Sequence, residues 1–187
     1  MLGGLLCAWL WFGSAPAGTP TYTLPQYRAW FQEAANHSEK LNQVWGYFEQ
    51  SNPEKNPIVL AYWGGLHTLR GRDAWNPVSK LHWLKSGMAL VNQAVSRLDQ
   101  NAEIRHVRFS VESKVPRALG FREHVISDKR ILLDRIAQLP SADEPLSLLM
   151  VYANTLLSSG LCTNGETAAL NHFISAHTPK NGSPKPK

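Results

Sequence analysis

Glu103, Arg105, Arg108 and Glu112 are the polar residues of this 187-residue chain whose types and spacing could do chemistry. On a helix, Arg105, Arg108 and Glu112 stand at i, i+3 and i+7 and share one face, with Arg108 and Glu112 as an i, i+4 pair. Three uses fit this pattern. The residues could form a solvated strip of ion pairs, worth about 0.3–0.5 kcal/mol each. They could form a polar network that locks one helix against its neighbours, with Asp128 as a partner. Or the two guanidinium groups could clamp a carboxylate or phosphate in a concave groove, because arginine's planar fork meets such anions with paired hydrogen bonds. Trp75 and Trp83 flank the Asn76-Pro77 junction and could line that groove. The candidate ligand-binding residues are therefore Arg105, Arg108, Glu112, Trp75 and Trp83.

No other chemistry is signalled. The chain has no nucleophile elbow, HExxH, CxxC, P-loop or dinucleotide glycine pattern. His172 and His177 are five apart, which on a helix turns them away from one another, a poor metal pair. His37 falls on the apolar stripe of a helix and reads as a hydrogen-bonded core residue. Cys162 has no adjacent basic residue to activate its thiol and reads as a small apolar residue. The sequence calls for no catalytic residue, no metal and no cofactor.

The elements that must position these residues are helical. Leu81, Leu84, Met88, Val91, Val95 and Leu98 recur at spacings of 3 and 4, the strongest periodic signal in the chain. With the Asp99-Gln100-Asn101 turn and a second helix from about 102 to 114, they make an organising hairpin that Pro116 and Gly120 close. Before it, one helix is expected from Pro25 to Gln50 and another from Pro57 to Leu69. The Gly64-Gly65 pair inside the latter calls for close approach of a neighbouring helix, since each mid-helix glycine costs about 1 kcal/mol relative to alanine. Later helices are expected over about 122–139, from 143 with Ser141 or Asp143 as cap to Gly160, and from the Thr163–Glu166 capping box to about Ala176. No segment alternates with period two long enough to make a strand. The fold class is all-α, either antiparallel hairpins stacked as a short α-solenoid or an irregular helical bundle.

Composition sets the rest. Residues 1–17 (MLGGLLCAWLWFGSAPA) carry an apolar run and an Ala-Pro-Ala cleavage pattern, which predicts a signal peptide and export to the periplasm or outside the cell. Its removal would leave Cys162 alone, so no internal disulfide could form. Residues 18–177 then form a single helical domain, and 178–187 (TPKNGSPKPK) a disordered basic tail. The formal charge is +5, but Lys180, Lys185 and Lys187 supply three of those charges and the body nets only +2. Nucleic acid is thus not an expected partner. A membrane partner is expected only if the N-terminal segment stays uncleaved.

The Asp99-Gln100-Asn101 hairpin resembles the close of a tetratricopeptide repeat, with Gln100 where that repeat has proline. The segments NPxxKL (Asn76–Leu81), EIRxxRxS (Glu103–Ser110) and PxxLGF (Pro116–Phe121) are similar to a family of uncharacterised exported bacterial proteins. The resemblance implies a helical-repeat fold and export, and it brings no activity. The expected function is that of an exported protein- or peptide-binding or scaffold module without catalysis. The alternatives are a small periplasmic enzyme with a non-motif active site and a membrane-anchored accessory protein.

Overall fold

A computed structural model describes residues 21–138 and 140–178; the expected signal peptide and residues 179–187 of the expected tail lie outside the described residues. The described residues form eight α-helices and no strand: α1 (Leu24–Asn36), α2 (Leu41–Gln50), α3 (Pro57–Asp73), α4 (Pro77–Arg97), α5 (Ala102–Glu112), α6 (Val125–Ile136), α7 (Leu146–Ser158) and α8 (Asn164–His177). The all-α expectation holds. None of these helices is long and apolar enough to cross a membrane.

Local chemistry starts most of them. Asn56 and Asn76 each precede a proline at the first helical position, and their side-chain oxygens accept from Ile58 N at 2.9 Å and Ser79 N at 2.8 Å. Asn101 does the same for α5 through Ile104 N at 3.0 Å. At α8 the expected box forms: Thr163 N donates to Glu166 Oε2 and Glu166 N donates to Thr163 Oγ1. For α7 the expectation fails. Pro145 precedes the helix, and the Ser141 hydroxyl instead accepts from Glu144 N within the loop.

The expected single helix over 25–50 is also corrected. It breaks at His37, whose backbone is extended (φ −131°, ψ 97°), and resumes at Leu41 after a 3₁₀ turn over Ser38–Lys40. Asn36, His37 and Ser38 are weak helix formers that compete for local backbone hydrogen bonds. His37 therefore leaves the apolar stripe and sits exposed beside Glu39, while Leu41, Val44, Trp45 and Phe48 stay buried.

Two apolar cores share α5. Ile104 and Val107 enter the first, with Phe31, Leu60, Leu66 and Val91 from α1, α3 and α4. Ala102 and Phe109 enter the second, with Leu132, Leu149, Tyr152 and Leu156 from α6 and α7. The longest contact is between α3 and α4. A Cβ added at Gly64 would lie 2.6 Å from the Gly87 carbonyl oxygen, and one at Gly87 would lie 2.5 Å from the Gly64 carbonyl oxygen. Seven residues on along α3, Gly71 faces Lys80, seven residues back along α4, so the pair runs antiparallel. Gly65 faces the other way, onto the ring of Phe31. The glycine pair is explained by close neighbours on both sides, the α4 backbone against Gly64 and the Phe31 ring against Gly65.

Gly64→Ala should push α3 and α4 apart and destabilise the fold by about 1–3 kcal/mol. That would lower the thermal midpoint by roughly 2–10 °C for a chain of this size. Gly46→Ala is the control: nothing lies within 4 Å of its added carbon, so helix propensity should stabilise by up to about 1 kcal/mol. Thermal unfolding of both variants reads the difference.

Candidate functional site

Glu103, Arg108 and Glu112 of α5 are buried and Arg105 is half-buried, and together they reach α1, α3, α4 and α6. The Glu103 carboxylate, 1% exposed, accepts from Arg28 of α1 through Nε and Nη2, both at 2.7 Å, and from the Tyr62 hydroxyl of α3 at 2.5 Å. The same Arg28 Nη2 donates to the Asp143 carbonyl ahead of α7. Hydrogen bonding to Glu103 holds the Arg28 pKa above its usual value, and burial pushes the Tyr62 hydroxyl well up, so both stay protonated.

On the opposite side, Arg108 grips Asp128 of α6 with two parallel bonds, Nε at 2.7 Å and Nη2 at 2.8 Å. Its Nη1 donates to Asn92 of α4 at 3.2 Å. Arg105 adds a third bond to Asp128 at 2.9 Å and donates to the Asp99 carbonyl at 2.6 Å. Arg108 and Glu112 do not pair as their spacing suggests. Glu112 turns to His124 and accepts from its backbone N–H and its Nδ1, both at 2.9 Å. His124 is the residue before α6, so a carboxylate sits at the positive end of that helix. Of the three uses open to these residues, the interhelical network with Asp128 is the one realised. The guanidinium donors of Arg108 face protein acceptors.

Trp75 and Trp83 separate. Trp75 is 92% exposed, with Val78 close by at 80%. Trp83 is half-buried against Trp45 and His67, and the Arg70 guanidinium lies 3.6 Å above the Trp45 ring. Cys162 is half-buried, its thiol pKa raised by burial.

One concave feature is a cleft of about 500 Å³ between α1, α3 and α4 on one wall and α5 and α7 on the other. Most of its lining surface is apolar, with Phe31, Leu69, Leu84, Val111 and Val151 contributing, although half of the lining residues are polar, Gln32 and Asn36 among them. Three lining residues are cationic, Arg72, Lys80 and Lys114, and none is acidic. Arg72 is committed to Asp73 and to the Ala35 carbonyl. Among the described residues, Lys80 and Lys114 have no hydrogen-bond or ion-pair partner.

His106 of α5 lines the same cleft and stacks on Tyr152 at 4.9 Å. Its Nε2 lies 2.9 Å from Thr155 Oγ1, and the Thr155 hydroxyl donates its one proton to the Val151 carbonyl. His106 Nε2 therefore carries the proton, and Nδ1 is a buried acceptor without a donor. Burial, helped by nearby Lys114, lowers the His106 pKa to about 4. The ring is neutral at physiological pH.

The sequence reading found the α5 face at 105, 108 and 112 but not the one at 106, 110 and 114, which lines the cleft at i, i+4 and i+8. The spacing was there to read. Its partners Lys80, Arg72 and Val151 come from other helices, and no local pattern joins them. No three or more His, Cys, Asp or Glu side chains among the described residues gather to hold a metal ion. Comparison of the chain with protein-family models, curated proteins and solved structures gives no match.

Asp128→Asn should destabilise the fold by about 3–5 kcal/mol, because it leaves the Arg108 guanidinium buried without a counter-charge. The triple variant Arg105→Met, Arg108→Met and Asp128→Leu should recover most of that loss in urea unfolding, since none of the three charges then remains to be compensated. His106 gives a pH prediction. Its folded pKa is below the ordinary histidine value of 6.5, so between pH 6.5 and 4 the unfolded chain takes up a proton that the folded chain refuses. Stability is unaffected by this group above that window, falls as pH drops through it, and levels near pH 4 with about 3 kcal/mol lost. His106→Phe should make this part of the pH–stability curve less steep, with the remaining slope due to His67, whose pKa burial also lowers to about 4.

Proposed function

We propose that the protein is a non-catalytic binding module that receives an apolar ligand in the cleft between α1–α3–α4 and α5–α7. The observation that carries this is the cleft itself, a concavity within the size range of small-molecule sites, with apolar walls and two unpaired lysines. Absence of catalysis is supported by the ionisable groups in the lining: no two of them are hydrogen-bonded to one another. Groups that do converge, such as Arg108 with Asp128, are saturated by each other and buried.

A finer reading of the architecture goes with it. The pairs α3–α4, α5–α6 and α7–α8 are three successive hairpins, each packed on the next through α4–α5 and α6–α7. Such an order supports a short solenoid with the cleft on one side. Export to the periplasm or outside the cell rests on the sequence of residues 1–17. A second reading, docking of a protein partner on Trp75 and Val78, is favoured by their exposure at the start of α4, since tryptophan often anchors such contacts.

Nile red, a neutral apolar dye, should bind the folded protein with one-to-one stoichiometry and a rise in fluorescence. Ser110→Trp on one wall and Ala35→Trp on the other should each reduce its affinity at least about tenfold, with thermal unfolding checked in parallel. Unchanged binding in both folded variants would overturn the cleft as the site.

A further inference from the structure

Resting on the reading of the cleft as a ligand site, we propose that its ligand is a single-chain amphiphile, its hydrocarbon tail along the apolar walls and its anionic head at Lys80 and Lys114. Charge gives the first argument. The lining holds Arg72, Lys80 and Lys114 and no acidic residue. Arg72 is already engaged, whereas the two lysines are exposed, one on α4 and one just past the end of α5, and neither has a partner among the described residues. Two free ammonium groups from opposite walls, standing in water with apolar stems behind them, are suited to an anion at the edge of an apolar space.

Hydrogen-bond accounting gives the second argument, and it weighs against a peptide along the α5–α7 wall, since the amide side chains of the lining, Gln32 and Asn36, both lie on α1. Four hydroxyls line the cleft, and each spends its proton on its own helix: Thr68 on the Gly65 carbonyl, Ser110 on Val107, Thr155 on Val151 and Ser158 on Thr155. A peptide main chain laid along the α5–α7 wall would bring carbonyl groups that its hydroxyls cannot serve, at about 1–3 kcal/mol for each group left unpaired. A hydrocarbon tail brings no such groups. The neutral His106 ring adds no charge to the inner wall, so nothing there attracts a second ionic group.

Titration calorimetry on the full chain tests this with four ligands of one chain length, each below its micellar concentration: dodecanoate, dodecyl phosphate, dodecanol and dodecyltrimethylammonium. Either or both anions should bind at least about tenfold more tightly than dodecanol, the size of one charge-assisted contact, and the cationic amphiphile more weakly than dodecanol. The two anionic arms separate a fatty-acid head from a phosphate head. In the Lys80→Met, Lys114→Met double variant the advantage of the anions should shrink to less than about twofold while Nile red binding stays unchanged. Four results would each overturn the proposal: dodecanol equal to the anions, a preference that survives the double variant, no binding of either anion, or a six-residue apolar peptide with a free carboxylate that binds as well as dodecanoate. If Nile red still binds in the cleft, such a result removes the amphiphile and leaves the binding module standing; if Nile red also fails, both fall.

Discussion

The constraint on which the rest of the structure depends is that α5 carries charges into a place where water cannot follow. Glu103, Arg108 and Glu112 are all buried on this one helix, and Asp128 of α6 is fully buried against it. An isolated charge in such a place costs several kcal/mol, so each must find its counterpart in the protein. The counterparts lie on different helices: Arg28 on α1, Tyr62 on α3, Asn92 on α4, Asp128 on α6 and His124 at the start of α6. Apolar packing alone would tolerate some sliding of one helix over another. Two-point bonds between a guanidinium and a carboxylate do not, and so α5 sets the register of both halves.

This division of labour around α5 leaves one of its faces available. The side at Arg105, Arg108 and Glu112 is consumed by α6, and the side at Ile104 and Val107 by the first core. The side at His106, Ser110 and Lys114 becomes a wall of the cleft. Facing it, α3 and α4 are held at glycine contact, which makes them a stiff pair and brings Gly71, Lys80 and Leu84 to the opposite wall. The cleft therefore depends on both devices: the ionic grip that orients α5 and the small residues that let α3 and α4 close up.

The polar groups that first suggest chemistry are thus the ones that hold the fold, while the groups free to meet a ligand are ordinary lysines. Arg108 offers a bidentate fork, but Asp128 already fills it. Lys80 and Lys114 offer single ammonium groups that have no partner among the described residues. A charged residue in a packed protein is informative about binding only once its internal partners are known.

Much of the scaffold was legible in the sequence because it rests on local physics. Asn-Pro at 56–57 and 76–77, Asn101, and the Thr163–Glu166 box mark helix starts through bonds that span two or three residues. The 3–4 spacing of Met88, Val91 and Val95 marks a buried stripe, and the cost of Gly64-Gly65 announces a close neighbour. The partnership of Arg105 and Arg108 with Asp128 was within reach of the same reasoning, since a buried arginine needs a carboxylate. The break at His37 was less legible, because the apolar repeat continues across it and only the backbone preferences of Asn36 to Ser38 argue otherwise. What tertiary structure alone decided is which of the possible uses the arginines serve, that Glu112 turns to His124 and not to Arg108, and that Lys80 and Lys114 line one cleft. Those outcomes depend on contacts between residues far apart in the chain, and the α5 face that opened as a clamp for a ligand closes as the clamp that holds the helices.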